Sequence, residues 1–228
     1  MARKADPDAK KNLLTAARAA FAAVGVDAAR VEDIARAAGL SKGSFYLHFA
    51  SKDAAFEELI QGFFAVVADL SMQRQEAHRD LEDAIGRMGA ADWRDQTPRF
   101  DAFGALEHAH TVRALQAMWR HRDVLRCILE QGSGERVALL TRLMDMTRTM
   151  LSAQFQVPMG SGAFRSDLDP DLVSELVIGM YLQLARRMTR LPQKPDFDTW
   201  ARTVDTLMVE GLAARPLITD RRVSQEAS

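Results

Sequence analysis

A chain of 228 residues, 47% of them hydrophobic, can form one medium domain, or a small domain joined to a larger one, around a substantial core. Its formal net charge of −1 excludes a uniformly basic nucleic-acid binder but leaves room for a locally basic surface. The single cysteine, Cys127, excludes an internal disulfide and a cysteine-based metal cluster.

The N-terminal segment predicts four helices, because its apolar residues recur at intervals of three and four. Gly25 and Gly39 are natural stops after the first and second helices, whereas Ser41 and Ser51 can cap the third and fourth. The inward-facing residues are expected to be, in chain order, Leu13, Leu14, Ala17, Phe21 and Val24; Val31, Ile34, Ala35 and Ala38; Phe45 and Phe49; and Phe56, Leu59, Ile60, Phe63 and Val67.

Beyond about Asp80 the pattern changes to longer amphipathic helices with looser connections. The segments GAADWRDQTP, residues 89–98, and VPMGSGAFRSDLDP, residues 157–170, are expected to be loops, and EQGSGE, residues 130–135, interrupts a helical pattern. No run has the alternating pattern of a β-strand. The last two helices are expected from Pro170 to about Arg190 and from about Asp196 to Ala213.

The stretch VEDIARAAGLSKGSFYLHF, residues 31–49, predicts a helix-turn-helix. Gly39 can take the positive φ that the turn between the two short helices needs. In this arrangement the second helix lies in the major groove of DNA. Here that helix begins after Ser41 and is anchored inward only by Phe45 and Phe49, so the rest of its surface is left for a partner.

The remaining side chains of this helix suit an anionic, hydrated groove. Lys42 and the free N–H groups of the first turn fit a phosphate or a guanine edge, and Gly43 lets the backbone come close. Base edges, a thymine methyl or phosphates are within reach of Ser44, Tyr46, Leu47 and His48. A merely solvated helix is the alternative, but it would leave these bulky groups exposed without a purpose.

The sequence FAAVGVDAARVEDIARAAGLSKGSFYLHFASKDAAFEELI, residues 21–60, resembles the DNA-binding head of the TetR family of transcriptional regulators. The resemblance is strong over about the first 70 residues. Beyond them it extends to architecture and to residues 164–181, which resemble the start of a helix that family members use for pairing. It implies an all-α chain with a three-helix helix-turn-helix head, joined by a fourth helix to an effector-binding and dimerisation body, with domains 1–70 and 71–228.

The resemblance also implies which residues face DNA. Lys52, at the start of the fourth predicted helix, is expected near the phosphate backbone. Family members usually carry Thr or Ser where this chain has Arg30, so a side-chain N-cap worth about 1 kcal/mol is lost. The guanidinium of Arg30 is expected either to lie beside the phosphates of bound DNA or to be solvated. The expected DNA-contact set is Arg30, Ser41, Lys42, Gly43, Ser44, Tyr46, Leu47, His48 and Lys52.

One recognition helix rarely supplies enough specificity alone, so heads of this kind act as symmetric pairs. The last two predicted helices carry apolar residues at intervals of three and four, which are expected to form a pairing surface or else only to bury against the body. The candidate dimer interface consists of Leu172, Leu176, Met180, Gln183, Val204, Leu207 and Met208.

The middle of the chain, residues 100–155, is rich in methionine and aromatic residues. Such residues can line an adaptable apolar pocket, although they more often form plain core. The family resemblance implies that this body holds a small apolar effector that weakens DNA binding. The candidate pocket residues are Trp119, Met144 and Phe155.

An enzyme is the main alternative. Glu107 and His110 form one E-x-x-H pair, but a di-iron bundle needs two such pairs and further carboxylates, and no second pair appears. Cys127 lies in an apolar helical pattern and is interpreted as a buried thiol. We therefore expect no catalytic residue, no metal and no cofactor. A DNA-bound adaptor without an effector is the third class.

These patterns, together with what the family resemblance implies, predict a ligand-responsive repressor that binds a palindromic double-stranded operator as a homodimer. Half-sites are expected about one helical turn apart, roughly 34 Å or modestly more. The first residues lack an apolar stretch of the signal-peptide type, and no run approaches the roughly 20 apolar residues of a membrane span. We therefore expect a cytoplasmic protein without a membrane partner.

Overall fold

A computed structural model of the protein describes residues 7–131, 134–160 and 164–212. Within these ranges the chain forms ten α-helices. No β-strand occurs in these ranges, as the periodicity predicts. The helices are α1 (Pro7–Ala28), α2 (Val31–Ala37), α3 (Lys42–His48), α4 (Lys52–Ile85), α5 (Ala90–Asp95), α6 (Pro98–Arg120), α7 (Arg122–Gln131), α8 (Glu135–Gly160), α9 (Pro170–Arg190) and α10 (Phe197–Leu212).

The head, formed by α1 to α3 and the start of α4, is built around aromatic rings. Phe21 and Phe56 are buried and meet edge to face, with ring centroids 5.7 Å apart. The helical geometry of α1 is broken at Gly25, which has φ 82° and ψ 163°. Val24 was expected to face inward, but it is 57% exposed. The break at Gly25 explains this difference, because the chain turns there and brings Val26 against the core instead.

The first loop expected in the body, at residues 89–98, contains the short helix α5. Its formation has a local cause, since the carboxylate of Asp92 accepts hydrogen bonds from the Gly89 N–H at 3.0 Å and from the Thr97 hydroxyl at 2.6 Å. These contacts lower the pKa of Asp92, the hydroxyl contributing most. The helix places Trp93 in a buried aromatic cluster.

The second expected loop, at residues 157–170, begins too early, because α8 continues to Gly160 with Pro158 inside it. A proline here removes one helical hydrogen bond. Burial of Phe155 and Met159 on either side of it offsets that loss, since both side chains pack in the same cluster as Trp93. The N-cap at Asp169 is as expected, and its carboxylate accepts from the Asp171 N–H at 2.8 Å.

Charged contacts fix the head to the body, and two arginines make the most extensive of them among the described residues. Arg18 of α1 binds Asp123 of α7 through two hydrogen bonds of 2.7 Å. Arg136 of α8 donates to Asp53 at 2.8 Å and to both oxygens of Asp27 at 2.8 and 2.9 Å. Because Asp27 lies in the last turn of α1 and Asp53 in the first turn of α4, this arginine joins the body to two elements of the head at once.

Candidate DNA interface and internal cavity

The turn and the start of α3 have the geometry that the sequence predicts. Gly39 has a φ of 72°, and the Leu40 N–H donates to the Ala35 carbonyl at 2.8 Å. Ser41 caps α3, because its hydroxyl accepts from the Ser44 N–H at 3.1 Å. Phe45 is fully buried. Short-range contacts therefore fix the turn and the start of this helix.

The outward face of α3 is open. Tyr46 is 50% and Leu47 64% exposed, so both side chains are accessible to a partner. Gly43 has room for a Cβ within the chain, because its nearest neighbour would be the Ser41 hydroxyl at 3.7 Å. Nothing in the described fold therefore requires glycine at this position, whereas close approach of a partner would.

The charge of Lys42 is held by a neighbour. Its ammonium lies 2.5 Å from a carboxylate oxygen of Glu32 on α2, and this hydrogen bond raises the pKa of the lysine. Both side chains are exposed, so the pair is weakly held. The ammonium of Lys42 can therefore exchange Glu32 for another acceptor.

Arg30 and Lys52, which are also expected to contact DNA, differ from Lys42 in their contacts within the chain. Arg30 is exposed at the N-cap of α2 and makes no side-chain cap, as its sequence position predicts. Lys52 has a structural partner that the sequence did not reveal, since its ammonium donates to the carbonyl of Ala29 at 3.3 Å and to that of Asp27. Lys52 thus closes the end of α1, and its charge is shared with that contact.

The body encloses a cavity of about 280 Å³ lined by residues of α4 to α10. Two of the three expected pocket residues, Met144 and Phe155, line it. Trp119 does not, which corrects that expectation. Its ring lies under the guanidinium of Arg122, at 4.1 Å from the centroid, and packs near Phe197 between α6 and α10.

One part of the cavity wall is polar and internally paired. Arg74 donates to both carboxylate oxygens of Glu107, at 2.7 and 2.9 Å, and His78 contacts the same carboxylate. Gln154 binds the Ser71 hydroxyl at 2.9 Å. Burial opposes the charge of Glu107, but the bond from His78 and the charge of Arg74 together outweigh it and lower the pKa of Glu107 to about 2.

The two residues of the E-x-x-H pair, Glu107 and His110, therefore have different contacts in the structure. Glu107 holds Arg74 and His78, while His110 lines the cavity. Burial, followed by the charge of Arg74, lowers the pKa of His110 to about 4, so its imidazole is neutral near pH 7. Among the described residues no group of three or more His, Cys, Asp or Glu is placed to hold a metal ion.

The most informative cavity residue missed in the sequence is Trp93. It was assigned to a loop, yet it is 8% exposed and lines the cavity. Its ring contacts Phe100, Phe103 and Phe164 edge to face at 5.4 to 5.6 Å. The clustering of Phe100 and Phe103 soon after a tryptophan was the available signal for a buried site.

The candidate dimer interface is only partly on the surface. Leu172, Leu176 and Leu207 are exposed large apolar residues. Gln183 is also exposed, and Met180 is half-buried. Val204 is 5% exposed and Met208 half-buried, and both line the cavity. Val204 was wrongly placed on the outside, because it lies on the inner face of α10 while Leu207 points away from it. Met208 is half-buried in the same way as Met180.

The single cysteine of the chain lies in the interior. Cys127 is buried, its thiol donates to the Phe21 carbonyl at 3.3 Å, and burial raises its pKa. It therefore has the character of a packing residue. Across residues 7–131, 134–160 and 164–212, no helix is both long and apolar enough to cross a bilayer.

Comparison with known proteins gives consistent results. The family model of bacterial regulatory proteins of the tetR family matches residues 13–59. YdgC of Bacillus subtilis (strain 168), an uncharacterized HTH-type transcriptional regulator, is 42% identical over 173 residues, covering 76% of this chain and 77% of that protein. The HTH-type transcriptional repressor KstR2 of Mycobacterium tuberculosis (strain ATCC 25618 / H37Rv) is 31% identical over 171 residues, covering 72% and 74%.

The fold is shared with solved structures as well. FadR from Bacillus subtilis in complex with stearoyl-CoA has a TM-score of 0.63 at 18% identity and covers 88% of this chain and 98% of its own. The family match falls on the helix-turn-helix, and two relatives above 30% identity extend over more than two thirds of the chain. The chain therefore belongs to the TetR family of bacterial transcriptional regulators and is a DNA-binding regulator of transcription.

Proposed function

We propose that this regulator is a homodimeric repressor that binds a palindromic operator and leaves it when a small apolar effector fills the cavity. The observation that carries the proposal is the exposed polar and aromatic face of α3, anchored only by Phe45 and Phe49. A regulator with this design works where the chromosome lies, in the cytoplasm. Residues 1–70 form the DNA-binding unit and residues 71–228 the effector-binding and pairing unit.

Each contact in the proposed complex has a physical basis. Lys42 exchanges Glu32 for a phosphate or a guanine edge, and Gly43 gives the backbone close approach. Leu47 supplies an apolar contact of the kind made with a thymine methyl, and Tyr46 reaches a phosphate. The other proposed DNA contacts are Arg30, Ser41, Ser44, His48 and Lys52.

Pairing is proposed for the exposed apolar side chains of α9 and α10. Leu172 and Leu176 lie one helical turn apart and face away from the buried residues Val173 and Val177 of the same helix. Leu207 is the corresponding exposed residue of α10. With Met180 and Gln183 they offer an apolar surface, and a twofold-related copy can cover it.

The pairing surface can be tested with two matched substitutions. Leu176 on α9 and Met146 on α8 are 66% and 65% exposed. We expect Leu176→Lys to convert a dimer to a monomer in sedimentation velocity, and Met146→Lys to remain a dimer. A Leu176→Lys protein that still sediments as a dimer would remove this helix from the interface.

The cavity and the head share structural elements. Helix α4 carries Phe56 and Ile60 in the core of the head and Phe63 and Arg74 on the wall of the cavity. Helix α8 carries Arg136 against the head and Met144 on the cavity wall. A ligand that prefers one arrangement of α4 and α8 therefore biases the spacing of the two heads of a dimer, which is a shift between existing populations.

The relatives indicate the general kind of effector. One solved neighbour is a ketosteroid transcriptional regulator, KstR2 of Mycobacterium tuberculosis, and another is FadR of Bacillus subtilis in complex with stearoyl-CoA. By analogy, and in keeping with the mostly apolar cavity wall, an apolar metabolite is proposed for this chain.

The proposal is tested by selecting bound sequences from a random DNA library with the purified protein. A palindromic repressor should recover a motif with twofold symmetry and half-sites about 34 Å apart or modestly more. Recovery of a single unpaired half-site would contradict the dimer. Recovery of no motif, together with affinity equal to that for random DNA, would contradict specific recognition.

A further inference from the structure

The cavity connects two separate apolar clusters of the body. The first cluster contains Phe63 of α4 and Met118 of α6, and the second contains Phe155 of α8 and Phe164. All four residues line the cavity. A ligand in this space can therefore bury apolar surface against one cluster or against both.

Helix α6 runs along the cavity from one cluster to the other. Phe103 packs against the second cluster and Met118 belongs to the first, and both line the wall. At a rise of 1.5 Å per residue the two positions are about 22 Å apart along the helix axis. His110 follows Phe103 by seven residues and precedes Met118 by eight, so it lies close to the midpoint.

The side chain of His110 lies on the cavity face of α6. Five residues of this helix recur at intervals of three and four and therefore share one face. They are Phe103, Glu107, His110, Ala114 and Ala117, and all five line the cavity.

The other polar side chains of the wall are paired or sealed. The pairs are Arg74 with Glu107, Ser71 with Gln154, Thr111 with Asp205 and with Tyr181, and Thr147 with the Leu143 carbonyl. The indole Nε1 of Trp93 has no partner among the described residues, but it is sealed from the cavity. These groups offer no accessible, unpaired site to a ligand oxygen.

His110 differs from all of these. Within the described residues it makes no hydrogen bond, and neither ring nitrogen is sealed in the way that the Trp93 indole is. Its lowered pKa of about 4 leaves a neutral imidazole at pH 7, with one donor and one acceptor nitrogen. The middle of the cavity thus holds a neutral polar group that can bond to an oxygen of a ligand.

We propose that the effector is an elongated apolar molecule with a neutral oxygen near its middle, and that this oxygen bonds to the imidazole of His110 while the two arms pack against the two clusters. The inference rests on the proposed function, since it takes the cavity to be the effector site. It adds the position of the polar group to the effector's apolar character. Internal ketones, secondary alcohols and esters with an apolar chain on both sides fit, whereas chains with their oxygen at one end do not.

Two positional isomers test this placement. 6-Undecanone and 2-undecanone have the same composition and differ only in where the carbonyl lies. With its carbonyl at His110, 6-undecanone extends a pentyl arm toward each cluster, whereas 2-undecanone extends a nonyl arm toward one and a methyl group toward the other. The terminal ketone must therefore leave one cluster uncovered or give up the hydrogen bond. In isothermal titration calorimetry with the full chain, 6-undecanone should bind about 3- to 10-fold more tightly.

Three variants assign this preference to His110. His110→Leu removes the donor and the acceptor, so the two ketones should bind equally, whereas His110→Gln keeps a neutral donor and acceptor and should retain most of the preference. Thr147→Val is the matched control, because it removes a cavity hydroxyl that is already bonded to the Leu143 carbonyl at 2.9 Å, and the preference should not change. Melting temperatures show that each variant is folded.

Several outcomes would overturn the inference. Equal binding of the two ketones to the unaltered chain, or tighter binding of 2-undecanone, would remove the central position of the oxygen. An undiminished preference in His110→Leu, or its loss in Thr147→Val, would remove the contact with His110. Failure of both ketones to bind the unaltered chain would remove the inference as a whole.

Operator binding by the same preparations separates this inference from the proposed function. The expected ketone preference in a protein that binds no DNA specifically would support the cavity chemistry and overturn the repressor. Specific DNA binding without any ketone binding would leave the repressor standing and overturn the cavity chemistry.

Discussion

The helix-turn-helix and the cavity of this chain are held together over very different distances along the sequence. In the helix-turn-helix, Ser41 caps a helix through a residue three positions away, and Phe45 and Phe49 are four apart with ring centroids at 5.3 Å. In the cavity wall, Ser71 and Gln154 are 83 positions apart. The helix-turn-helix is therefore specified locally, whereas the cavity exists only once seven helices have packed.

This difference has a functional meaning. A recognition surface must keep one geometry on DNA, and short-range caps and a rigid aromatic anchor provide that. A ligand cavity must be able to change with its occupant, and half-buried side chains from separate helices allow small movements of each.

The largest difference is expected between core substitutions in the two regions. Phe45→Ala removes a fully buried ring from the head and should lower the free energy of unfolding by about 3–5 kcal/mol. Met144→Ala removes a half-buried side chain from the wall of an existing cavity and should lower it by less than about 2 kcal/mol. Urea denaturation followed by circular dichroism measures both, and equal losses would contradict the contrast.

The contact between the regions is tested by two arginines of α8. Arg136 is nearly buried and binds Asp27 and Asp53, whereas Arg142 is exposed and lies 3.7 Å from Glu57. Arg136→Met should lower the free energy of unfolding by about 1 kcal/mol, a value kept small because its two carboxylate partners are exposed. Arg142→Met should change it by less than about 0.5 kcal/mol.

The same two arginines also test how ligand binding in the cavity is coupled to DNA binding by the head. If Arg136 transmits the state of the cavity to the head, Arg136→Met should weaken the effect of a bound ligand on operator affinity, and Arg142→Met should not. An unchanged ligand effect in Arg136→Met would mean that coupling runs through α4 alone.

Two helix caps separate stability from recognition. Ser41 caps α3 and Ser51 caps α4 through equivalent bonds of 3.1 and 3.0 Å. Each change to alanine should lower the free energy of unfolding by about 1 kcal/mol. Only Ser41→Ala should also weaken operator binding in a fluorescence anisotropy titration, because α3 is the helix that we propose to enter the groove. A similar loss of affinity in Ser51→Ala would assign the effect to the head as a whole.

The smallest expected effect comes from two histidines of α6 with opposite pH dependence. Hydrogen bonds to Asp198, then to Asp205, raise the pKa of His108 above 6.5, so its stabilisation is present below pH 6.5 and is lost as the pH rises through the raised pKa. Burial lowers the pKa of His110 to about 4, so its contribution is present above pH 6.5 and is lost as the pH falls toward 4.

Melting temperatures measured across this pH range check both signs. The difference between the unaltered chain and His108→Gln should shrink as the pH rises, whereas the difference for His110→Gln should grow between about pH 4 and 6.5. The same trend in both variants would contradict the assignment of one histidine to the carboxylates of α10 and the other to the cavity.

The success of sequence reasoning follows the same division. The cap at Ser41, the positive φ at Gly39 and the burial of Phe45 all follow from residues within one short stretch, and the structure confirms them.

Trp119 was placed in the pocket, and Val204 was placed on the surface, because helical spacing shows that a residue has an apolar neighbour but not which helix supplies it. The burial of Trp93 was missed for a related reason, since it depends on Phe164, far along the chain.

The measurement that tests the central claim most directly is operator affinity of the unaltered chain, Lys42→Ala and Lys194→Ala, each titrated with salt. DNA reading through α3 predicts that Lys42→Ala loses about tenfold in affinity, with a shallower salt dependence if that lysine meets a phosphate. Lys194→Ala, in the link between α9 and α10, should bind as the unaltered chain does. Equal affinities for all three proteins, or a loss confined to Lys194→Ala, would contradict recognition through this helix.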